Sequence, residues 1–208
     1  MKITNTLILF ACIAVFTSCN DDDSMAFIEV ESKTITNLHA PQVGGQGQGP
    51  ISGDFTKFDF ETGAVTNSNT DWDIAFRGTT IIVNGGVSLA NSDEPERTGN
   101  AAAYIANATF SALTAVDVQS FRQDSDSESA IPKGGGNGWY NYIPFPQNLI
   151  TPIPGRILVF RTTEGNYAKV EILSYYKDAP ENPDSTMDEA RYYTFNYVYQ
   201  PNKGVTTF

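Results

Sequence analysis

Few side chains in this sequence are equipped for covalent or metal chemistry, and their spacing narrows the choice further. His39 is the single histidine, standing just before the Gly/Gln/Pro-rich stretch PQVGGQGQGP (41–50), the setting of a solvent-exposed side chain. A Ser-His-Asp relay would have to use it, and no G-x-S-x-G turn accompanies it. Of the two cysteines, Cys12 lies inside the apolar run LILFACIAVF (7–16) and Cys19 heads the hexapeptide CNDDDS (19–24). One histidine and these cysteines do not make a His/Cys zinc site. GGQGQG follows Pro41 in a loop context, which is not the strand-to-helix turn that cradles phosphate. Asp124, Asp126 and Glu128 alternate in DSDSE as calcium ligands can, but without the central glycine and distal glutamate of an EF-hand, so they read as a solvated loop. No pair of carboxylates is spaced for glycoside cleavage. The remaining candidate chemistry is aromatic. Trp139, Tyr140, Tyr142 and Phe145 crowd into WYNYIPF, followed by a proline-broken stretch from Pro144 to Pro154 that does not read as a regular strand. Most such rings belong to a core, but some are expected to line a groove suited to a flat apolar ligand.

The N-terminal segment gives an address. Lys2 is the only charge before Asp21, the apolar run is ten residues long, and Thr17 and Ser18 are small. The run is too short to span a bilayer, which takes about 20 residues, and the pattern is that of a signal peptide over residues 1–18. A small residue immediately before Cys19 resembles a bacterial lipobox, in which cleavage leaves an acylated cysteine at the new N-terminus. Several acyl chains anchor firmly, since each buried CH₂ contributes about 0.8 kcal/mol. Asp21, Asp22 and Asp23 resemble the export signal of surface lipoproteins of the Bacteroidetes; their mutual repulsion also suits an extended tether over 19–27. The expected location is therefore the outer membrane, lipid-anchored and exposed at the cell surface. With Cys12 removed and Cys19 acylated, no disulfide is expected.

The rest, residues 28–208, is sized for one domain. With 24 acidic residues against 13 basic ones and a net charge of −11, the chain repels phosphate backbones, which excludes nucleic acid as the expected partner. Aromatic residues reach 12 % against 18 % charged, and the turns are rich in Gly and Asn, which points to an all-β protein. FIEVESKTITNL predicts a first strand. GDFTKFDFETGAVT predicts a hairpin, with Phe55, Phe58 and Phe60 spaced for a strand with one irregularity. WDIAFRGTTIIVNGG places Trp72, Ile74 and Phe76 on one face at period two and closes at Asn84-Gly85-Gly86. The clearest signal is the alternation on either side of Thr163–Asn166, a hairpin, followed by a last strand with Tyr193, Phe195, Tyr197 and Tyr199 on one face. Residues 91–103, 122–138 and the stretch KDAPENPDSTMDEA read as loops, while ATFSALTAVDVQSF fits neither a strand pair nor a helix well. The expected architecture is a single antiparallel β domain, a sandwich or an open barrel.

DWDIAFRGTTIIVNGG, then NGWYNYIPF and PGRILVFRTTEGNYAKVEILSYY, then RYYTFNYVYQP, together resemble the HmuY family of Bacteroidetes surface lipoproteins. The resemblance runs from about Phe55 to Pro201. It implies an all-β fold, no enzymatic activity, haem as the bound cofactor, and delivery to a TonB-dependent receptor in the outer membrane. The family holds haem through two axial histidines, and related proteins use methionines. By spacing from Trp139 and Arg156 one of those positions falls on Pro144, and the other lies near Ala112; residues 104–123 contain neither His nor Met. Met187, in the late loop, and the phenols of Tyr140 and Tyr142 are then the candidate iron ligands. A non-haem ligand-binding or adhesion module on the same fold is the alternative that the missing ligands leave open.

Cys19→Ser should abolish incorporation of a labelled fatty acid and release the protein from the membrane fraction. Surface display predicts loss of the wild-type protein on protease treatment of intact cells, and survival under that treatment would rule display out.

Overall fold

The computed structural model describes residues 26–45, 47–89 and 93–208. The signal peptide, Cys12, Cys19, the three aspartates and Met25 lie outside them. Every regular element among the described residues is a strand. Five strands form one antiparallel sheet in the order β1 (Ser32–His39), β11 (Ala190–Gln200), β10 (Tyr167–Tyr176), β9 (Arg156–Arg161), β6 (Ala102–Asn107). Four form a second, in the order β3 (Ala64–Thr66), β2 (Thr56–Asp59), β4 (Ile74–Arg77), β5 (Thr80–Val83). A separate hairpin pairs β7 (Tyr140–Ile143) with β8 (Leu149–Pro152). The fold is thus the expected all-β class, built as two packed sheets with an appended hairpin.

Alternation explains the packing. Tyr193, Phe195 and Tyr197 of β11 project into the space between the sheets with Val170 and Ile172 of β10 and Leu158 and Phe160 of β9. They meet Phe58, Phe60, Ile74, Phe76, Ile81 and Val83 from the second sheet. The rings interlock edge to face, Phe58 against Phe195 with centroids 5.6 Å apart and against Tyr197 at 5.9 Å. The opposite faces are covered too. Ile157 and Val159 lie with Tyr104 under the irregular segment 108–121 and Phe208. Lys169 extends beneath that segment and donates to the carbonyls of Phe110 (2.9 Å) and Leu113 (2.8 Å), tying it to the sheet.

Three expectations need correction. Trp72 does not share a face with Ile74 and Phe76: it packs with Phe55, Ala75 and Ile82 on the outer side of the second sheet. β4 starts only at Ile74, so period two does not extend back to the bend at Trp72. Ala102 and Ala103, placed in a loop by their small size, open β6; a bulkier pair is unnecessary because Ala103 lies fully buried against the core. The proline-broken stretch contains β8, and Pro152 is tolerated at its end because the two-stranded hairpin asks for no further ladder bond there.

One buried carboxylate joins the sheets. Asp73, 1 % exposed, accepts from the Phe60 amide at 2.9 Å, and from the amide and hydroxyl of Thr163 at 2.8 and 3.0 Å. Phe60 follows β2, while Thr163 lies in the β9–β10 turn, so the side chain ties one sheet to the other. Its neighbour in the fold, Asn84, accepts from the amides of Thr98 (2.8 Å) and Gly99 (3.1 Å) and donates to the carbonyls of Trp72 and Thr70.

Burial pushes the Asp73 carboxyl up from 3.8 to about 6, with the Phe60 and Thr163 donors working in the opposite sense. A carboxyl that holds its proton more tightly folded than unfolded loses stability as pH rises between those two values, here on the order of 3 kcal/mol, with no further change above them. Urea melts should therefore show the stability of wild type relative to Asp73→Asn falling from pH 4 to pH 6 and levelling off beyond. A difference that grows with pH would show that the donors outweigh burial.

Candidate functional site

The aromatic group splits between core and surface at the start of β7. Trp139 is buried, donates its indole N–H to the Thr79 carbonyl at 3.0 Å, and packs against Tyr193 with centroids 5.1 Å apart. Tyr140 is 8 % exposed and its hydroxyl accepts from the Thr79 hydroxyl at 3.3 Å, so it belongs to the core with Trp139. From there the hairpin projects outward. Tyr142 is half exposed and donates to the Asn148 side chain across the hairpin at 2.8 Å. Phe145, at the tip, is 84 % exposed. The base is held from below by the Ile150 amide, which donates to the buried Tyr176 hydroxyl at 3.1 Å. Burial raises the Tyr176 phenol, and it raises those of Tyr175 and Tyr193 beside it as well, so these rings stay neutral packing elements.

The late loop meets the hairpin tip. Ser185 donates its hydroxyl to the Gln147 carbonyl, and a groove of about 490 Å³ lies between Pro146, Gln147 and Leu149 on one wall and Asn182–Thr186 on the other. Met187 follows directly, 82 % exposed, with its amide bonded to the Asp184 carbonyl. The structure thus brings the hairpin tip and the methionine-bearing loop together and leaves Tyr140 inside. His39 is exposed at the end of β1 and stacks on Tyr192 with centroids 4.5 Å apart.

A second concave region lies along the 122–138 segment. Two adjoining depressions of about 740 and 340 Å³ share Arg122, Pro132 and Asn137; Lys133 and Ser129 line the first and Arg156 the second. In the acidic run beside it Asp126 and Glu128 are exposed, as a solvated loop requires, but Asp124 departs from that reading. Asp124 is 3 % exposed, receives the amides of Ala130 (2.7 Å) and Val83 (3.1 Å), and pairs with Arg97 at 3.1 Å; Arg97 also holds Glu94 at 3.0 Å. Burial raises the Asp124 carboxyl against those donors. Its carbonyl accepts from Val87 at 2.9 Å and lies so close to Gly86, whose φ is +80°, that a Cβ there would sit 1.9 Å from it. Among the described residues no group of three His, Cys, Asp or Glu side chains is placed to hold a metal ion.

The family model described as HmuY protein matches residues 52–197. The chain belongs to the HmuY family. The match spans both sheets from β2 to most of β11 and includes the β7–β8 hairpin. Among solved structures, the chain is similar to the apo HmuY analogue of Tannerella forsythia, at 14 % identity and a TM-score of 0.47 over 85 % of this chain and 99 % of that one. A protein described as a lipoprotein of Bacteroides fragilis gives 14 % identity and 0.44 over 85 % and 94 %. A protein of Bacteroides vulgatus described as HmuY-like and haem-binding gives 15 % and 0.44 over 83 % and 93 %. No curated protein matches.

The two positions that the resemblance assigns to axial ligands in HmuY proteins are exposed here: Pro144 at the hairpin tip and Ala112 in the segment over the outer face. Neither carries a donor atom for iron, so the residues present do not reproduce the family's ligand pair. The basic depression escaped the sequence reading because Arg122, Lys133 and Arg156 are spread over 35 positions and only the fold collects them. Three single cations in a strongly acidic chain leave no local signature.

The anchored base and the free tip should respond differently to truncation. Trp139→Ala is expected to cost about 3–5 kcal/mol in chemical denaturation, whereas Phe145→Ala and Met187→Ala should stay within about 0.5 kcal/mol of wild type. A large loss from either tip variant would show that the tip is part of the packed fold.

Proposed function

We propose that this HmuY-family protein is a lipid-anchored surface protein that captures haem or a similar flat ligand at the hairpin tip and hands it to an outer-membrane uptake receptor of the TonB-dependent class. The observation that carries the reading is the family match across residues 52–197. The geometry supports it at one place. Phe145 and Tyr142 stand exposed on a hairpin whose base is fixed in the core, and Met187 is offered beside the adjoining groove. An apolar ring exposed on a rigid support is a ready surface for a planar molecule. Ring contact carries the binding in this reading, with Tyr142 and Met187 as the side chains that can approach iron; Tyr140 is committed to the core.

A second reading keeps the anchor and the capture role but changes the ligand to a non-haem molecule. Pro144 and Ala112 favour it, since the family's iron ligands are absent from both positions.

Haemin titration separates the two. The haem reading expects a saturable Soret band distinct from that of free haemin at one haemin per chain, weakened severalfold by Tyr142→Phe or Met187→Ala and unchanged by His39→Ala. A spectrum that rises only as free haemin does removes haem and leaves the second reading standing.

A further inference from the structure

We propose that the depression along the 122–138 segment is a binding site for a sugar-sized, polyhydroxylated molecule that carries a sulfate or carboxylate. Three observations converge on it. The first is charge. In a chain of net charge −11, Arg122, Lys133 and Arg156 line two adjoining depressions that share Arg122, Pro132 and Asn137, and among the described residues none of these cations is within ion-pair distance of a carboxylate. The hydrogen bonds these cations make are few: the Arg122 Nε–H donates to the Ala130 carbonyl at 3.2 Å, and Arg156 donates to the Gly138 carbonyl. Arginine has five N–H donors in a planar fork, so each retains capacity for an oxyanion. Glu128, exposed, is the one carboxylate lining the two depressions.

The second observation is an unmet hydroxyl. Ser129 lines the larger depression, is 6 % exposed, and its Oγ has no hydrogen-bond partner. Buried hydroxyls are almost always partnered, so a lone one in the lining of a depression is a natural contact for a ligand hydroxyl. Ser129 is also held in place. The Ala130 amide next to it donates to Asp124 at 2.7 Å, the Ala130 carbonyl accepts from Arg122, and Ala130 and Ile131 are locked in the core. The wall is therefore preformed.

The third is size and lining. At about 740 and 340 Å³ the joined depressions exceed the volume of an inorganic ion and fall in the range of small-molecule sites. Asn107, Ser120, Ser127 and Asn137 supply polar groups suited to sugar hydroxyls. The inference is independent of the hairpin-tip reading, because no residue is shared between the two places.

The test uses the full lipidated chain, purified in detergent at low ionic strength, with glucose 6-sulfate and glucuronate as probes and glucose as the uncharged control, followed by calorimetry. At least one charged sugar should bind, glucose should not, and added salt should weaken the interaction. Arg122→Gln should weaken it about tenfold or more, as expected for loss of a charge-assisted hydrogen bond. Ser129→Ala should weaken it severalfold while the melting temperature holds or rises, which a purely structural serine would not do. Tyr142→Phe should leave it unchanged. The proposal is overturned if neither charged sugar binds, if glucose binds as well as they do, if Arg122→Gln and Ser129→Ala both leave affinity intact, or if Tyr142→Phe costs as much as Arg122→Gln. Haemin titration of the same samples reports on the tip alone, so the two proposals fail separately.

Discussion

The Asp73 carboxylate is the constraint around which this fold is arranged. It is placed where burial disfavours its charge, yet it takes three hydrogen bonds that no apolar side chain could replace. Those bonds connect the end of β2 with the β9–β10 turn, Asp73 and Thr163 lying 90 residues apart, and so fix how the two sheets face one another. The aromatic layer between them depends on that register, because edge-to-face ring packing tolerates little sliding. The segments WDIAF and RTTEGNYAK, on which the resemblance rests, are thus one physical unit: Asp73 of the first is bonded to Thr163 of the second. Lys169, at the end of the second, secures the segment over the outer face. Their residues serve architecture: they hold the two sheets in register and pin the outer segment.

What could be read in the sequence followed from how evenly burial alternates. β9, β10 and β11 stand out because every second residue enters the core and the intervening ones are polar or lie on a distinct second face. β6 was hidden because Ala101–Ala103 fill a tight space with methyl groups, leaving no hydrophobic contrast to detect. Trp72 was placed on the wrong face because a bend precedes β4, and a period-two count is meaningful only within a strand. Asp124 was the deepest misreading. DSDSE has the composition of a linker, and nothing local reveals that one of its acids is matched by Arg97 and two buried amides. At the candidate site the aromatic cluster was visible as a group, but its division into buried Tyr140 and exposed Tyr142 and Phe145 follows from where the hairpin leaves the core.

Charge is distributed against the average. An acidic surface repels polyanions in general, while among the described residues the groove along 122–138 gathers cations without carboxylate partners. On the proposed reading, a small anion is admitted there while a long polyanion is repelled by the surroundings. Charge complementarity of this kind acts on which molecules approach as much as on how tightly they are held.

The outermost strand of the larger sheet carries its own safeguard. In β1 the pairing with β11 slips between Ile35 and Leu38, Asn37 adopts a left-handed φ of 56°, and its side chain is clamped to Asp178 by reciprocal bonds of 2.7 Å. A straight edge would offer an unbroken row of amides and carbonyls to the next molecule. The kink interrupts that row. A flat, unbroken edge of this length is a template for pairing with a strand of another molecule. One left-handed residue thus makes the outer edge of β1 a poor template for a further strand.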